Sequence, residues 1–161
     1  MTAWFVTGTD TGVGKTLVAC ALLHALAERH ARVVGMKPVA AGTVRDAQGC
    51  WLNDDVQALR AASTTAVDDA LDNPFLLPDP VSPHIAAERA GREIDIATIV
   101  RACAALRERS DVVVVEGAGG FRVPLTSTLD GADLAAALGL PVILVVGLRL
   151  GCLNHALLTA E

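Results

Sequence analysis

The sequence predicts an α/β fold, a doubly wound and mostly parallel sheet that is flanked by helices on both faces. Strand-like and helix-like segments alternate along the 161 residues. Two strand-like segments, residues 111–116 and 141–147, are nearly continuous runs of apolar residues, which is typical of strands that are buried on both faces. The 52% of hydrophobic and 19% of charged residues are typical of a globular protein with a buried core.

The predicted elements follow one another in βα order, which favours right-handed crossovers between parallel strands. Strands are expected at residues 4–8, 32–37, 111–116 and 141–147. Helices are expected at residues 15–29, 55–62, 94–109, 130–138 and 153–161. The first helix is expected to pack through Leu17, Val18, Ala21, Leu22, Ala25 and Leu26. Asp54 is expected to cap the second helix. Residues 43–53 and 64–82 are polar or rich in proline, and they are predicted to be irregular connections.

A glycine-rich turn joins the first strand to the first helix. Residues 8–16 read G-T-D-T-G-V-G-K-T, and the N–H groups of such a turn and of the helix N-terminus favour a bound anion. In a P-loop, Lys15 would reach the β- and γ-phosphates and the Thr16 hydroxyl would ligate Mg²⁺. The usual motif has four residues between its first glycine and Gly-Lys-Thr, and this chain has five. The flanking strand and helix therefore support the prediction more than the spacing does.

Polar residues stand at the ends of the other predicted strands, where open α/β sheets bind their ligands. Lys37 ends the second strand, and Glu116 ends an all-valine strand. Mg²⁺ prefers a few hard oxygen ligands together with phosphates, so Thr16, Asp55 and Glu116 are predicted to hold it. The charge of Lys37 is predicted to stabilise a transferring phosphoryl group. The alternatives are an exposed lysine and an ordinary carboxylate at a strand end.

Composition argues against several classes of partner. The formal net charge of −5 lacks the basic footprint of a nucleic-acid-binding protein. No apolar run is long enough to span a bilayer, and the N-terminus does not read as a signal peptide. The four cysteines form no C-x-x-C pair, and Cys20 and Cys103 are expected to be free buried thiols. A cytoplasmic location is expected.

The motifs closely resemble those of the dethiobiotin synthetases over essentially the whole chain. The shared strings are F-V-T-G-T-D-T-G-V-G-K-T (5–16), G-M-K-P-V-A-A-G (35–42), N-D-D (53–55), N-P-F (73–75), S-P-H-I-A-A (82–87), V-E-G-A-G-G (115–120), V-P-L (123–125) and L-P-V-I-L-V-V-G-L-R-L-G-C-L-N-H-A (140–156). The last string and the unusually spaced P-loop are the most specific, whereas V-E-G-A-G-G also occurs in related amidoligases.

The resemblance implies a cytoplasmic, ATP- and Mg²⁺-dependent ligase that closes a ureido ring in biotin synthesis. Its substrates would be 7,8-diaminopelargonic acid and CO₂, and it would pass through a carbamate and a carbamic-phosphoric anhydride. Catalytic roles are implied for Lys37, Lys15 and Thr11. Nucleotide and metal contacts are implied for Gly12, Val13, Gly14, Lys15, Thr16, Leu17, Asp55, Glu116, Gly117, Ala118 and Gly119. Substrate contacts are implied for Thr11, Lys37, Ala41, Gly151, Cys152 and Asn154, the last three reaching across a homodimer.

The sequence departs from the family pattern in two places. Family members usually carry Ser or Thr where this chain has Ala41, so a hydroxyl contact to the substrate is expected to be missing. The chain, residues 1–161, is expected to be a single P-loop NTPase-like domain without the C-terminal elements of the family, which include an Asn-Asp segment that recognises the base.

Three other functions are alternatives to this one. A partitioning-type ATPase would carry a lysine where this chain has Asp10, and a cobyric-acid-type amidoligase would need a glutamine-hydrolysing domain. A truncated domain that binds phosphate without turnover is the third alternative.

Overall fold

The computed structural model describes residues 2–161 and confirms the predicted α/β fold. In chain order its elements are β1 (Thr2–Gly8), α1 (Lys15–Ala27), β2 (Val33–Met36), β3 (Val39–Ala41), β4 (Val44–Arg45), β5 (Trp51–Leu52), α2 (Asp54–Ala62), α3 (Asp69–Asp72), β6 (Phe75–Leu77), α4 (Pro83–Arg89), α5 (Ile96–Arg109), β7 (Val112–Glu116), α6 (Gly131–Leu138), β8 (Val142–Val145) and α7 (Cys152–Ala160).

The central sheet has four parallel strands in the order β2-β7-β1-β8. After β1 the chain crosses over β7 to form β2, whereas after β7 it crosses over β1 to form β8. The strand order therefore reverses around β1 and β7, and such a reversal opens a ligand crevice at the carboxyl ends of the strands. The glycine-rich turn follows β1, and Glu116 ends β7 beside it. The topology thus places both predicted motifs at the same crevice.

Strand β7 forms the middle of the core, and its side chains alternate between two apolar clusters. Val112 and Val114 belong to a cluster with Ala19 and Leu23 of α1. Val113 and Val115 belong to the other cluster, which includes Leu106 of α5 and Leu134 of α6. Every residue of β7 is buried, which confirms the predicted burial on both faces. The helices therefore cover the sheet from both sides, as the doubly wound prediction requires.

The apolar face predicted for α1 is confirmed only in part, because Leu22 and Leu26 are partly buried against the core, whereas Ala21 and Ala25 are exposed. The buried residues of this helix are Lys15, Ala19 and Leu23, and Leu17 is 76% exposed. Apolar residues occur on all sides of α1, so their spacing does not identify the face that packs on the sheet. By contrast, α5 has charged residues on one side, and the prediction of Ile99, Cys103 and Leu106 as buried residues is confirmed.

The burial predicted for the last strand is wrong. Strand β8 pairs with β1 and forms one edge of the sheet within residues 2–161. Val142 is 47% exposed, and the other residues of β8 are only partly buried. A run of branched apolar residues predicts a strand, but its burial depends on what packs on both faces.

The two segments predicted as irregular contain regular structure. Residues 43–53 form an antiparallel hairpin of β4 and β5, and residues 64–82 contain α3 and β6. Strand β6 pairs in parallel with β3, which continues the chain beyond β2. These strands are two or three residues long, too short for a periodic pattern to indicate them.

The cap predicted for α2 lies one residue away. Asn53, and not Asp54, is the N-cap, because its side chain accepts a hydrogen bond from the N–H of Val56. Both residue types are good caps, so composition alone does not choose between neighbours. Within residues 2–161, none of the helices is long and apolar enough to cross a membrane.

Candidate active site

The glycine-rich turn forms a loop that ends directly in α1. Gly12 and Gly14 have φ values of 72° and 99°, a left-handed conformation that strongly favours glycine. Gly14 caps α1, whose first residues are Lys15 and Thr16. The first N–H groups of a helix have no acceptor within the helix, so they are available to an anion at this loop.

Lysine is rare in this chain, and both lysines lie at this site. Lys15 and Lys37 are the only two in the sequence, and their exposed fractions are 6% and 4%. The ammonium of Lys15 donates to the carbonyl oxygen of Asp10 at 2.8 Å. Burial, followed by the positive charge of Lys37, lowers the pKa of Lys15. The cationic side chains elsewhere in the chain are therefore arginines or histidines, and both lysines lie buried beside the glycine-rich turn.

Four side chains from distant parts of the sequence meet at the carboxyl ends of β1, β2 and β7. The Lys37 ammonium lies 2.6 Å from Glu116 Oε1 and 2.8 Å from Asp55 Oδ2. The Thr16 hydroxyl lies 2.9 Å from Glu116 Oε1 and 2.8 Å from Asp55 Oδ1. The structure thus brings together the residues predicted to hold a metal and the predicted catalytic lysine. We call these four residues the Lys37 cluster.

The electrostatics of the Lys37 cluster favour the ionised form of Asp55. Burial raises the pKa of Asp55, but the charge of Lys37 and hydrogen bonds from Lys37 and Thr16 outweigh it, and the net pKa lies below the usual value. Glu116 is fully buried. In the cluster one ammonium thus faces the carboxyl groups of both Asp55 and Glu116.

The Lys37 cluster fits a hard divalent cation. Glu116 Oε2 is buried and has no hydrogen-bond partner, and a buried unsatisfied acceptor of this kind is costly. The Thr16 hydroxyl has one hydrogen for its two carboxylate neighbours. Among residues 2–161 there is no group of three or more His, Cys, Asp and Glu side chains that could hold a metal. The oxygen donors therefore suit Mg²⁺ with phosphate ligands rather than a site made by protein alone.

A cleft of about 500 Å³ opens beside the cluster, a size typical of small-molecule sites. Its walls include six of the predicted site residues: Thr11, Lys37, Ala41, Asp55, Ala118 and Gly119. The loop of residues 117–120 closes against the glycine-rich turn, because the N–H of Phe121 donates to the Gly8 carbonyl at 3.0 Å. The cleft thus joins the phosphate loop to a space large enough for a second substrate.

Sequence reasoning missed several residues of this cleft. Asn53 lines it and donates to the Gly42 carbonyl at 2.7 Å. Pro80 and Ser82 also line it. The N-D-D and S-P-H-I-A-A strings of the family pattern contain Asn53 and Ser82, and these strings were the signal that could have identified both residues.

Four predicted site residues lie outside the cleft walls, the glycine-rich turn, the loop of residues 117–120 and the Lys37 cluster. Leu17 points outward from α1 and is 76% exposed. Gly151, Cys152 and Asn154 lie at the beginning of α7, where Gly151 is the N-cap with φ 92°. An ion pair of 2.8 Å between Arg149 and Asp10 links the segment before α7 to the glycine-rich turn. The structure therefore brings α7 to the P-loop but does not place its first residues in the cleft of the same chain.

Comparison with known proteins identifies the family. The profile of a family described as "AAA domain" matches residues 2–161. A protein of Aromatoleum aromaticum named "ATP-dependent dethiobiotin synthetase BioD" is 60% identical over 99% of this chain and 70% of its own length. Proteins with the same name from Ralstonia nicotianae and Nitrosospira multiformis are 60% and 58% identical over 98% of this chain, and each is covered over 68% of its length. The chain therefore belongs to the dethiobiotin synthetase family, and its α/β fold is the AAA domain of that family.

Proposed function

We propose that the chain is an ATP-dependent dethiobiotin synthetase, which forms a ureido ring from 7,8-diaminopelargonic acid and CO₂. The similarity to relatives that carry this name supports the proposal. The observation that carries it is the position of Lys37. Its buried ammonium lies between two carboxylates, beside the phosphate loop and on the wall of the cleft.

The reaction requires charge neutralisation rather than a protein nucleophile. One amine of the substrate adds to CO₂ and loses a proton, which gives a carbamate. A carbamate oxygen attacks the γ-phosphorus of ATP, and ADP leaves. The second amine then attacks the carbamate carbon and loses a proton, the ring closes, and inorganic phosphate leaves. Phosphoryl transfer depends mainly on positioning and on electrostatic stabilisation.

The side chains of the site divide this work. The N–H groups of residues 12–17 and the Lys15 ammonium bind the triphosphate. Lys37 lies at the junction of the loop and the cleft, where its charge stabilises the oxygens of the transferring phosphoryl group and of the carbamate. Thr11 and Ala41 contact the diamine from the cleft walls. Glu116 and Asp55 hold the Lys37 ammonium in place at 2.6 and 2.8 Å.

Thr16, Asp55 and Glu116 would hold Mg²⁺. The unpartnered Glu116 Oε2 and the convergence of hard oxygens support this assignment. When bound, the ion neutralises charge on the β- and γ-phosphates. Residues 117–119 complete the nucleotide side of the crevice.

We further propose that the enzyme is a homodimer in which the start of α7 binds the substrate carboxylate in the partner's cleft. The N-terminus of a helix suits an anion, and Gly151, Cys152 and Asn154 do not line the cleft of their own chain. Leu153 and Leu157, which are 78% and 68% exposed, would be buried in such a contact. Mixing two inactive variants, Lys37→Ala and Asn154→Ala, should restore part of the activity, because one site of the mixed dimer is intact. Failure of the mixture to recover activity, with both variants folded, would reject the shared site.

The central test measures phosphate release from ATP in the presence of bicarbonate, with and without 7,8-diaminopelargonic acid. The proposal predicts release that depends on the diamine, and mass spectrometry should identify dethiobiotin. Slow release that ignores the diamine would instead indicate a nucleotide switch. Lys37→Ala should abolish steady-state turnover while nucleotide binding is largely retained. Arg89→Ala, which removes a cation from the exposed ion pair with Asp79, is the matched control and should remain active.

A further inference from the structure

We propose that Asn73, supported by the Arg60–Asp72 ion pair, is a positioning residue that holds the backbone of Lys37 in the active site. This inference rests on the proposed function, because it takes Lys37 as the charge that acts on the phosphoryl group. Asn73 and Asp72 are 7% and 4% exposed, and neither lines the cleft beside the P-loop. The mechanism above therefore leaves two buried polar side chains without a role.

Both polar groups of the Lys37 backbone are bound by consecutive residues of the α3–β6 segment. The N–H of Lys37 donates to the carbonyl oxygen of Asp72 at 2.8 Å. The side-chain amide of Asn73 donates to the carbonyl oxygen of Lys37 at 2.6 Å. Lys37 lies between the end of β2 and the start of β3, so it lies in a gap between two runs of sheet pairing. Asn73 and Asp72 replace the missing sheet partners at that position.

The carbonyl of Asp72 is itself held in place through its side chain. Arg60 Nε and Nη2 donate to the two carboxylate oxygens of Asp72, each at 2.7 Å. Such a two-point pairing of a planar guanidinium with a carboxylate fixes orientation as well as distance. The guanidinium also contacts Asp69 at 3.0 Å, but that carboxylate is 85% exposed, and an exposed pair contributes little. The pair of Arg60 with the buried Asp72 carboxylate is thus the part that sets the geometry.

Helix α2 connects this clamp to the ammonium of the same lysine. Asp55, in its first turn, binds Lys37 Nζ at 2.8 Å, and Arg60, near its other end, binds Asp72. Asp55 therefore binds the ammonium of Lys37. Its backbone is bound by Asn73 and by Asp72, and Arg60 orients Asp72. A displacement of about 1 Å at a catalytic group can cost about 100-fold in rate, so loss of the backbone clamp should reduce catalysis without contact to any substrate.

The first experiment compares Asn73→Ala with the native chain in steady-state assays with the diamine. The value of kcat should fall by about 10- to 100-fold, whereas KM for ATP and the Kd of a fluorescent ATP analogue should change little, because the P-loop is intact. Asp69→Ala is the matched control, since it removes the exposed partner of Arg60 and leaves the clamp. An unchanged kcat in folded Asn73→Ala overturns the proposal.

A double-mutant cycle separates positioning from a general loss of structure. If Asn73 acts through Lys37, adding Asn73→Ala to Lys37→Ala should not lower the residual single-turnover rate further. An equal loss in both backgrounds overturns the positioning role. Normal turnover of Lys37→Ala would instead refute the proposed role of Lys37, which is a distinct result. If Asn73→Ala fails to fold by circular dichroism, Arg60→Lys is tested in the same cycle, because it keeps the charge and loses the planar fork.

Discussion

Replacement of Glu116 by glutamine separates the role of its charge in the folded protein from its role in metal binding. In the native chain Oε1 accepts from Lys37 and Thr16, and Oε2 has no partner. In Glu116→Gln the amide oxygen can take the place of Oε1 and keep both hydrogen bonds. The amide nitrogen then takes the place of Oε2, where it has no acceptor. One unsatisfied buried group thus replaces another, and Lys37 keeps Asp55 at 2.8 Å.

The expected change in unfolding free energy is therefore small for the metal-free protein. Removing one partner of a buried ion pair costs about 3–5 kcal/mol when the other charge is left alone. Because Asp55 still neutralises Lys37, Glu116→Gln should cost less, about 2 kcal/mol or under. In contrast, Mg²⁺·ATP at 100 times its Kd stabilises a native chain by about 2.7 kcal/mol, which corresponds to a rise in Tm of about 5–11 °C for a domain of this size.

The assay is a thermal melt with ATP in EDTA and with ATP in Mg²⁺. The native chain should gain additional stability when Mg²⁺ is present, whereas Glu116→Gln should show only the shift that ATP gives in EDTA. Asp54→Asn is the matched control, because it removes a neighbouring exposed carboxylate outside the Lys37 cluster, and its melts should follow the native chain. An Mg²⁺-dependent shift in Glu116→Gln as large as in the native chain would refute the assignment of Glu116 to the metal.

Three further predictions use the same protein. Ala41→Ser should lower KM for the diamine by about fivefold, since one neutral hydrogen bond contributes about 1 kcal/mol. Steady-state kinetics measures this KM, and an unchanged value would contradict the contact of residue 41 with the diamine. The folded-state pKa of Asp55 is lowered, so its contribution is present above about pH 4 and is lost as pH falls; denaturant melts of Asp55→Asn should therefore lose less stability in acid than the native chain. A thiol reagent should label exposed Cys50 rapidly and buried Cys103, whose pKa is raised by burial, only after unfolding; equal labelling rates would contradict the packing of α5.

The parts of the fold that the sequence predicted are those with a long and unambiguous pattern. The all-valine run of β7 can only be a strand buried on both faces, and charged residues on one side of α5 orient that helix. Helix α1 is apolar on all sides, so its packing face is decided by the sheet and not by its own sequence. Strands β3 and β6 are each three residues long, and they form because they pair with each other, which a local pattern does not reveal.

The site likewise contains residues that the sequence predicted and residues that it did not. Residues at strand ends were predicted because the topology of a parallel sheet brings these ends together, and Thr16, Lys37 and Glu116 meet there although Thr16 and Glu116 are 100 residues apart. The Asn73 amide and the Arg60–Asp72 pair lie on a helix and in a connection without a periodic pattern. The Asn73 amide and the Asp72 carbonyl bind backbone groups of Lys37, and contacts to the backbone leave no signature in the residue types that meet.

The short helix α2 carries two residues that act on Lys37 from the connection between β2 and β6. Lys37 is 4% exposed, and burial of an ammonium is costly unless carboxylates accompany it. Asp55 supplies one carboxylate at a position that is still 44% exposed, while Glu116 supplies the other from the fully buried end of β7. Because α2 also carries Arg60, a shift of this helix would move the ammonium partner and the backbone clamp of Lys37 together. Glu116 would stay at the end of β7, so the contact of the ammonium with its two carboxylates would be distorted. Substitutions that loosen the packing of α2 on α1 should therefore lower kcat before they weaken ATP binding.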